Sequence, residues 1–325
     1  MKTKYSNILI ILLAFITSLL ICEIFCEFII KFPKYSVEKQ LFGIQKSRYS
    51  QRIFKPNSDY LSRESGYKVY KRNNIGFTGN DININDSSYK NIFLLGSSFV
   101  EAIQVEPDSM ASSVFNSYLR NNHSKYQVIN CAAGGHDMYD SYFRFQYFGR
   151  IFGFSKIIYI LDGVWMHENN NLDFNVGDNF GKINNSLFLR IHDILRNNSS
   201  LLNLFTEYLK EELVIGNVRN VELEVGPGKD NFNVLPNLEK CISQFGTKYS
   251  SDFILLSLDN NHSGLNDTLK SYCEKNNINF VSDTTIITDE NILNGRGHLN
   301  KRGNDLLAKK IINVFEEFIG KKENE

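Results

Sequence analysis

Two residues that could perform nucleophilic chemistry lie far apart in the chain, at Ser98 and His298. Ser98 ends the turn Gly96-Ser97-Ser98, which directly follows the apolar run 91–95, a predicted buried strand. A strand that ends in this way lifts a serine hydroxyl to the carboxyl edge of a sheet, where ligands and chemistry collect in α/β proteins. A serine needs an adjacent base to act as a nucleophile at neutral pH, and a loop histidine is the usual supplier. The pair therefore indicates serine-based catalysis, provided that backbone amides nearby stabilise an oxyanion.

Structural roles compete with these catalytic ones. Ser98 could simply cap the helix that follows it, and His298 could be an ordinary residue at a helix N-terminus. His136 and His167, each beside an acidic neighbour, are expected to be non-catalytic, although both could line the mouth of a pocket. Trp165 could stack on a sugar ring or belong to the packing.

Regular alternation of strands and helices predicts the fold around these residues. Apolar strands are predicted at 91–95, 126–131, 156–161, 252–258 and 278–283. Helices are predicted at 107–120, 138–152, 236–249, 265–275 and 301–319. Because strands that are apolar on both faces belong to sheets covered on both sides, the pattern indicates a three-layer α/β/α domain. Its five-stranded sheet should be mainly parallel.

The N-terminal residues 1–34 form a separate unit. Residues 8–30 are almost continuously apolar and long enough to cross a bilayer, with Glu23 and Glu27 near the far end. We interpret them as an uncleaved signal anchor, since a cleaved signal peptide would have a shorter apolar region followed by small residues. Lysines flank the segment on both sides, so the positive-inside rule does not orient it.

The remaining chain divides at changes of composition. Residues 35–89 are polar, rich in tyrosine and predicted to be irregular, as a stalk or wrapping segment would be. Residues 90–320 form the predicted α/β domain, with a polar insertion at 165–235 that includes a helix at 201–214.

Composition limits the partners. The chain has 36 basic and 36 acidic residues and no long basic run, which excludes nucleic acid as its main partner. Its five cysteines lack the Cys-x-x-Cys spacing of metal sites, and no metal site is expected. Cys241 and Cys273 could form a disulfide in an exported domain, but separate buried thiols are favoured.

Three blocks of sequence together resemble the SGNH, or GDSL-type, hydrolases over about residues 74–318. LLGSSFVEA is similar to the family's first block, VINCAAGG to its second and GHLNKRGNDLLA to its last. The resemblance implies a flavodoxin-like sheet, with Ser98 as the nucleophile and His298 as the general base. It also implies an oxyanion hole formed by the amides of Ser98 and Gly135, with Gly134 adjacent. Neither a metal nor an organic cofactor is implied.

Two features depart from the family pattern. The Asn of the third block is replaced by Val164 or Trp165, and the acid that usually precedes the histidine is replaced by Gly295 or Arg296. Other carboxylates could orient the histidine in space. The candidates are Asp283, Asp289 and Asp162, the last of which is also a common type of turn residue at a strand end.

The segment NNIGFTG, residues 73–79, also resembles membrane-anchored family members found with bacterial surface-polysaccharide genes. This resemblance implies a serine esterase or acyl transferase that acts on O-acyl groups, above all acetyl, of a cell-surface carbohydrate. The domain would then face the periplasm or the cell exterior. Two alternatives remain open: a non-catalytic module that binds glycan or an assembly partner, and an accessory of a membrane acyltransferase.

Overall fold

A computed structural model defines the architecture of the chain. The structure describes residues 2–34, 36–41, 51–62, 68–122, 124–163, 174, 187–206, 208, 235–259, 262, 264–293 and 298–318.

A five-stranded parallel sheet forms the centre of the fold. Its strands are β5 Lys90–Leu95, β6 Tyr126–Asn130, β7 Lys156–Leu161, β8 Phe253–Ser257 and β9 Asn279–Ser282. They lie in the order β6-β5-β7-β8-β9, and every neighbouring pair is parallel. Numbered within the sheet this order is 2-1-3-4-5, that of the flavodoxin-like sheets. All five strands predicted from the sequence are confirmed, with ends that differ by one residue at most.

Helices connect the strands and cover the sheet. They are α2 Ser98–Glu101, α3 Ala111–Asn121, α4 Met138–Phe152, α5 Leu187–Asn198, α6 at 200–206, α7 Leu235–Tyr249, α8 Leu265–Lys275 and α9 Lys301–Phe318. The helix predicted from Pro107 begins instead as the 3₁₀ turn Pro107–Ser109, and α3 starts only at Ala111. The described part of the helix predicted at 201–214 is α6.

Successive side chains of each strand point to opposite faces of the sheet, and a separate hydrophobic core lies on each face. In β5, Phe93 and Leu95 contact the core that contains α4, α7 and α8. Ile92 and Leu94 contact the core on the other face, which α3 and α9 cover. Because both faces of each central strand are buried, the strands read as continuous apolar runs. The predicted three-layer α/β/α fold is confirmed.

The segment at 35–89 contains regular structure, so the prediction that it is irregular is wrong. Strand β1 (Val37–Leu41) pairs with β2 (Gln51–Phe54), and β3 (Asp59–Ser62) pairs with β4 (Lys68–Lys71), both antiparallel. These strands are four or five residues long and mix polar and aromatic residues. Such short strands carry too few apolar positions to produce a clear period of two.

Residues 73–82 pack tightly against the sheet domain. The Asn73 side chain accepts hydrogen bonds from the amides of Ile75 and Phe77, at 3.1 and 2.9 Å. Ile75 and Phe77 are buried in the core beside α4. A Cβ atom on Gly76, which has φ +83°, would lie 2.2 Å from the Phe54 carbonyl oxygen. The close approach of two backbone segments therefore requires glycine here.

Asn130, the last residue of β6, ties this segment to the start of the α/β domain. Its buried side-chain amide donates to the Val100 carbonyl at 2.9 Å, to Ser112 Oγ at 3.1 Å and to Thr78 Oγ1 at 3.3 Å. Three separate parts of the chain are thus joined by one side chain.

We predict that Asn130→Asp lowers the free energy of unfolding by about 3 kcal/mol, because the carboxylate oxygen that replaces the amide nitrogen would face the Val100 carbonyl, which can only accept, in a buried site. Denaturant unfolding of the full chain in detergent measures this change. The matched control is Asn85→Asp in an exposed loop, for which we expect a change within about 0.5 kcal/mol. Equal effects of the two substitutions would contradict the role given to Asn130.

The N-terminal helix α1 (Lys2–Ile24) continues as a π-helical stretch, Phe25–Ile29. The most apolar 18-residue stretch within residues 7–29 has a mean hydropathy of 2.8, and none of it is buried. The helix is therefore long and apolar enough to span a membrane. The five cysteines carry free thiols, and Cys241 and Cys273 are separate buried residues, as favoured.

Candidate active site

The turn that carries the candidate nucleophile passes very close to the neighbouring strand. A Cβ atom on Gly96 would lie 2.9 Å from the Ile160 carbonyl oxygen and 2.6 Å from a methyl carbon of Val100. Only glycine lets the chain leave β5 at this point without displacing β7 or helix α2. The close approach fixes the position of the two serines that follow.

Ser97, rather than Ser98, caps helix α2. Its Oγ accepts a hydrogen bond from the Phe99 amide at 3.2 Å, which is the usual geometry of an N-cap. The same hydroxyl donates to Oδ2 of Asp162, which follows the last residue of β7. Ser97 therefore joins the ends of β5 and β7, and it leaves the hydroxyl of Ser98 available for another contact.

Ser98 Oγ lies 2.9 Å from His298 Nε2. This is hydrogen-bond distance, so the neutral imidazole can accept the hydroxyl proton. Ser98 is the first residue of α2, and amides at that position have no acceptor within the helix. The ring of Phe99 lies 5.9 Å from that of His298, measured between centroids, and limits the motion of the imidazole.

The backbone around His298 is held on both sides. The Leu293 amide donates to the His298 carbonyl at 2.7 Å. The Asn300 side chain donates to the Glu290 carbonyl and accepts from the Gly303 amide at the start of α9. A Cβ atom on Gly303 would lie 2.5 Å from a backbone oxygen. Asn300 and Gly303, which match the family's last block, thus position the histidine loop.

The glycine loop after β6 lies beside the nucleophile. A Cβ atom on Gly134 would lie 3.6 Å from Ser98 Cβ. The Gly134 amide donates to Oε2 of Glu101 at 2.7 Å, so a carboxylate occupies this candidate oxyanion donor. Gly135, with φ +77°, forms the next residue of the same turn.

Glu101 is a site residue that the sequence reasoning missed. The sequence offers one indication of its role, which is its spacing from Ser98. Residues i and i+3 of a helix lie on the same face, so Glu101 lies on the face of α2 that carries Ser98.

Asp162 is the candidate acid that the structure brings to the nucleophile turn. Burial raises its pKa to about 6. The hydrogen bond from Ser97 and the proximity of His298 act in the opposite direction and lower that pKa, while the nearby carboxylate of Asp259 raises it. Asp162 is therefore within electrostatic range of the imidazole, although its direct partner is Ser97.

The other two candidate acids lie elsewhere. Asp283 accepts hydrogen bonds from the amide and hydroxyl of Thr285, at 3.0 and 2.6 Å, and faces Lys310 Nζ at 3.5 Å. Burial raises its pKa, but these contacts outweigh burial and the net shift is downward. Asp289 is exposed, at the start of the 3₁₀ turn Asp289–Asn291.

Of the candidate pocket residues His136, His167 and Trp165, only His136 is among the residues that the structure describes. His136 is buried just ahead of α4, and its amide donates to the Ala133 carbonyl at 3.1 Å. Trp165 and His167 lie outside the described residues, as do Val164, Gly295 and Arg296.

We predict that Asp162→Asn changes the pH dependence of stability. Because the folded-state pKa of about 6 exceeds the ordinary value of 3.8, protonation of Asp162 favours the folded state. Its stabilising contribution is complete below about pH 4 and is lost as the pH rises through about 6. The stability of Asp162→Asn relative to the native chain should therefore increase across that range, as denaturant unfolding at each pH can measure.

Asp283→Asn is the matched control, since the pKa of Asp283 is lowered in the fold. Its contribution is present above the unfolded-state pKa and is lost as the pH falls through the lower folded-state value. The stability of this variant relative to the native chain should therefore decrease as the pH rises. The same trend for both variants would contradict the environment assigned to Asp162.

The comparisons with known proteins give matches at low sequence identity. No protein-family model matches the sequence, and no curated protein does either. Among solved structures, the chain is similar to TesA, with 9% identity, a TM-score of 0.40 and coverage of 71% of this chain and 100% of that one. It is similar to the psychrotrophic esterase EstA from Pseudoalteromonas sp., with 11% identity, a TM-score of 0.42 and coverage of 73% and 100%.

A GDSL-like lipase from Bacteroides thetaiotaomicron is also similar, with 12% identity, a TM-score of 0.37 and coverage of 73% of this chain and 92% of that one. Likeness at this level leaves the chemistry to be argued from the site. The sheet order and the positions of the three sequence blocks are independent of these comparisons. The sheet order is the flavodoxin-like order that the sequence resemblance implied.

Proposed function

We propose that this chain is a serine esterase or acyl transferase of the SGNH type. The observation that carries the proposal is the distance of 2.9 Å between Ser98 Oγ and His298 Nε2. The glycine loop beside Ser98 and the amide of Ser98 at the start of α2 support it, because an oxyanion needs backbone donors at that position.

The reaction proceeds in two stages. Ser98 Oγ attacks the ester carbonyl carbon while His298 Nε2 takes its proton, and the carbonyl oxygen becomes an oxyanion held by the amides of Ser98 and Gly135. When the carbonyl re-forms, the ester C–O bond breaks and the leaving alcohol takes the proton from the imidazolium. Water or a sugar hydroxyl then attacks the acyl-serine, gives its proton to His298 and releases Ser98 with that proton returned.

Asp162 contributes through its charge. Above its pKa of about 6 the carboxylate is ionised and favours the imidazolium that forms in each stage. It also holds the hydroxyl of Ser97, so it acts on the nucleophile turn as a positioning residue.

The substrate we propose is an O-acyl group, above all acetyl, on a cell-surface carbohydrate. Two features support this substrate: the resemblance of residues 73–79 to membrane-anchored relatives, and an N-terminal helix long enough to hold the domain at a membrane. The domain would then lie on the periplasmic or extracellular side. A membrane acyltransferase that supplies the acyl group would be a compatible partner.

We predict that Ser98→Ala lowers kcat for p-nitrophenyl acetate at least about 10³-fold, because loss of a serine nucleophile removes the covalent route. Steady-state hydrolysis by the full chain in detergent measures this loss. The matched control is Ser271→Ala on the exposed face of α8, which should leave kcat unchanged. A kcat for Ser98→Ala equal to that of the native chain would contradict the assignment of the nucleophile.

One observation favours a second function, a non-catalytic module that binds glycan or an assembly partner. The Glu101 carboxylate accepts from the Gly134 amide at 2.7 Å, and its negative charge opposes the formation of an oxyanion nearby. In a binding module this carboxylate would instead accept hydrogen bonds from sugar hydroxyls. Substitution of Glu101 distinguishes the two functions, because loss of its charge should raise the activity of an esterase.

We predict that Glu101→Gln raises kcat/KM for p-nitrophenyl acetate by on the order of tenfold. Glutamine keeps an oxygen that can accept from the Gly134 amide but removes a charge whose repulsion of the oxyanion costs about 1.4 kcal/mol, the equivalent of a tenfold change in rate. Glu106→Gln is the control, since Glu106 is exposed and pairs with Lys68 at 3.0 Å. A folded Glu101→Gln variant with lower activity would contradict the opposing role of this charge, and no activity in any variant would favour the binding module.

A further inference from the structure

Helices α5 and α6, in the insertion between β7 and α7, expose a cluster of large apolar side chains. The residues are Ile191, Ile194 and Leu195 on α5, and Phe205 and Tyr208 at the end of α6, each between 48% and 58% exposed. Ile191, Ile194 and Leu195 are spaced as i, i+3 and i+4, so they share one helix face. We refer to these five residues as the apolar patch.

Two large polar side chains of the same two helices are buried. Arg196 is only 2% exposed and Asn203 only 6%. The guanidinium of Arg196 donates to the Asn203 side chain, which joins the two helices. This arrangement, with an ionic group inside and aliphatic and aromatic groups outside, is inverted relative to a helix pair in water.

The helix pair is attached to the end of the N-terminal helix. The Glu23 carboxylate accepts hydrogen bonds from Ser199 Oγ at 2.6 Å, from the Ser200 amide at 2.7 Å and from the Leu201 amide at 3.1 Å. It thereby satisfies the first amides of α6, which have no partner within the helix.

Two further hydrogen bonds hold the segment that follows the N-terminal helix. Asn203 donates to the Pro33 carbonyl at 2.7 Å, and Asn197 donates to the Val37 carbonyl at 2.8 Å. The helix pair is thus held against both the span and the segment that follows it.

The position of Glu23 along the span sets the depth of the helix pair. The apolar stretch covers residues 7–29, and Glu23 lies six residues before its end, about 9 Å at 1.5 Å per residue. Residues 7–29 would extend about 35 Å, against about 30 Å of hydrocarbon. With the stretch centred on the hydrocarbon, Glu23 lies about 7 Å inside the boundary between acyl chains and headgroups, where a carboxylate needs donors from protein. Those donors come from α6 and the residue before it, so the helix pair lies at the same depth.

We propose that α5 and α6 lie in the membrane interface beside the span, with the apolar patch inserted among the lipid acyl chains. Interfacial helices bury an apolar face about 5–10 Å into this boundary, and aromatic residues such as Phe205 and Tyr208 are favoured there. The lipid bilayer is the occupant of the patch because Glu23, which lies within the span, holds residues 199–201 at the start of α6 by three hydrogen bonds. The proposal goes beyond ester chemistry and rests on the membrane span alone. The insertion is then a second contact with the membrane, and it fixes the orientation of the α/β domain relative to the bilayer.

The test is a depth measurement on the full chain in phosphatidylcholine nanodiscs. Starting from Cys22→Ala, which removes the exposed thiol, single nitroxide labels are placed on Ile194→Cys, Phe205→Cys, Leu12→Cys and Ile151→Cys. Ile151 is 54% exposed on α4 and serves as the control for an apolar side chain outside the patch. Collision rates with oxygen and with a water-soluble nickel chelate report the environment of each label.

We expect labels at Ile194 and Phe205 to collide with oxygen more than with the nickel chelate, as the label at Leu12 does. The label at Ile151 should show the reverse. Nickel-accessible labels at Ile194 and Phe205, with Leu12 in lipid, would overturn the proposal and leave the span intact. A nickel-accessible Leu12 would overturn both.

Protection of Ile194 and Phe205 from both reagents would mean that protein covers the patch, and would also overturn the proposal. Spin–spin broadening in that case would identify a second copy of the chain. Hydrolysis of p-nitrophenyl acetate by the same samples is read separately, so a failure of the ester chemistry remains distinguishable from a failure of the membrane contact.

Discussion

The hydrogen bond between Ser97 and Asp162 is the contact on which the site depends. It joins the turn after β5 to the end of β7, and the same hydroxyl caps helix α2. Because Ser97 performs both tasks, Ser98 is left to face His298 at 2.9 Å. In this Gly-Ser-Ser turn the first serine therefore has a structural role, and the second contacts the histidine.

This contact also explains how the histidine could work without an acid in the sequence just before it. The pKa of Asp162 is raised to about 6 because the carboxylate is buried, and it is lowered in turn by Ser97 and His298. Near neutral pH the group is ionised and adds negative charge to the region of the imidazole. A buried carboxylate is thus held beside the turn that carries Ser98. Glu101 adds a second negative charge at the Gly134 amide, which a catalytic cycle has to overcome.

The sequence predicted the sheet, its helices and the serine–histidine pair, because these depend on local signals. Apolar runs such as Ile92–Leu95 belong to strands buried on both faces. The block around Ser98 lies where β5 ends, and the block around His298 lies just before α9. The choice of Asp162 over Asp283 could not be made in this way. All three candidate acids follow strands or begin turns, and only the folded chain shows that Asp283 faces Lys310. The hydrogen bonds of Glu23 to residues 199–201 were equally out of reach, since they join segments far apart in sequence.

The central claim is that His298 activates Ser98. The most direct measurement is the rate at which a fluorophosphonate modifies the full chain, in the native protein and in His298→Gln, with the modified residue identified by peptide mass spectrometry. The account predicts modification at Ser98, with a rate that falls at least about 10³-fold in His298→Gln. Modification at another residue, or a rate at Ser98 that is the same in His298→Gln, would contradict it.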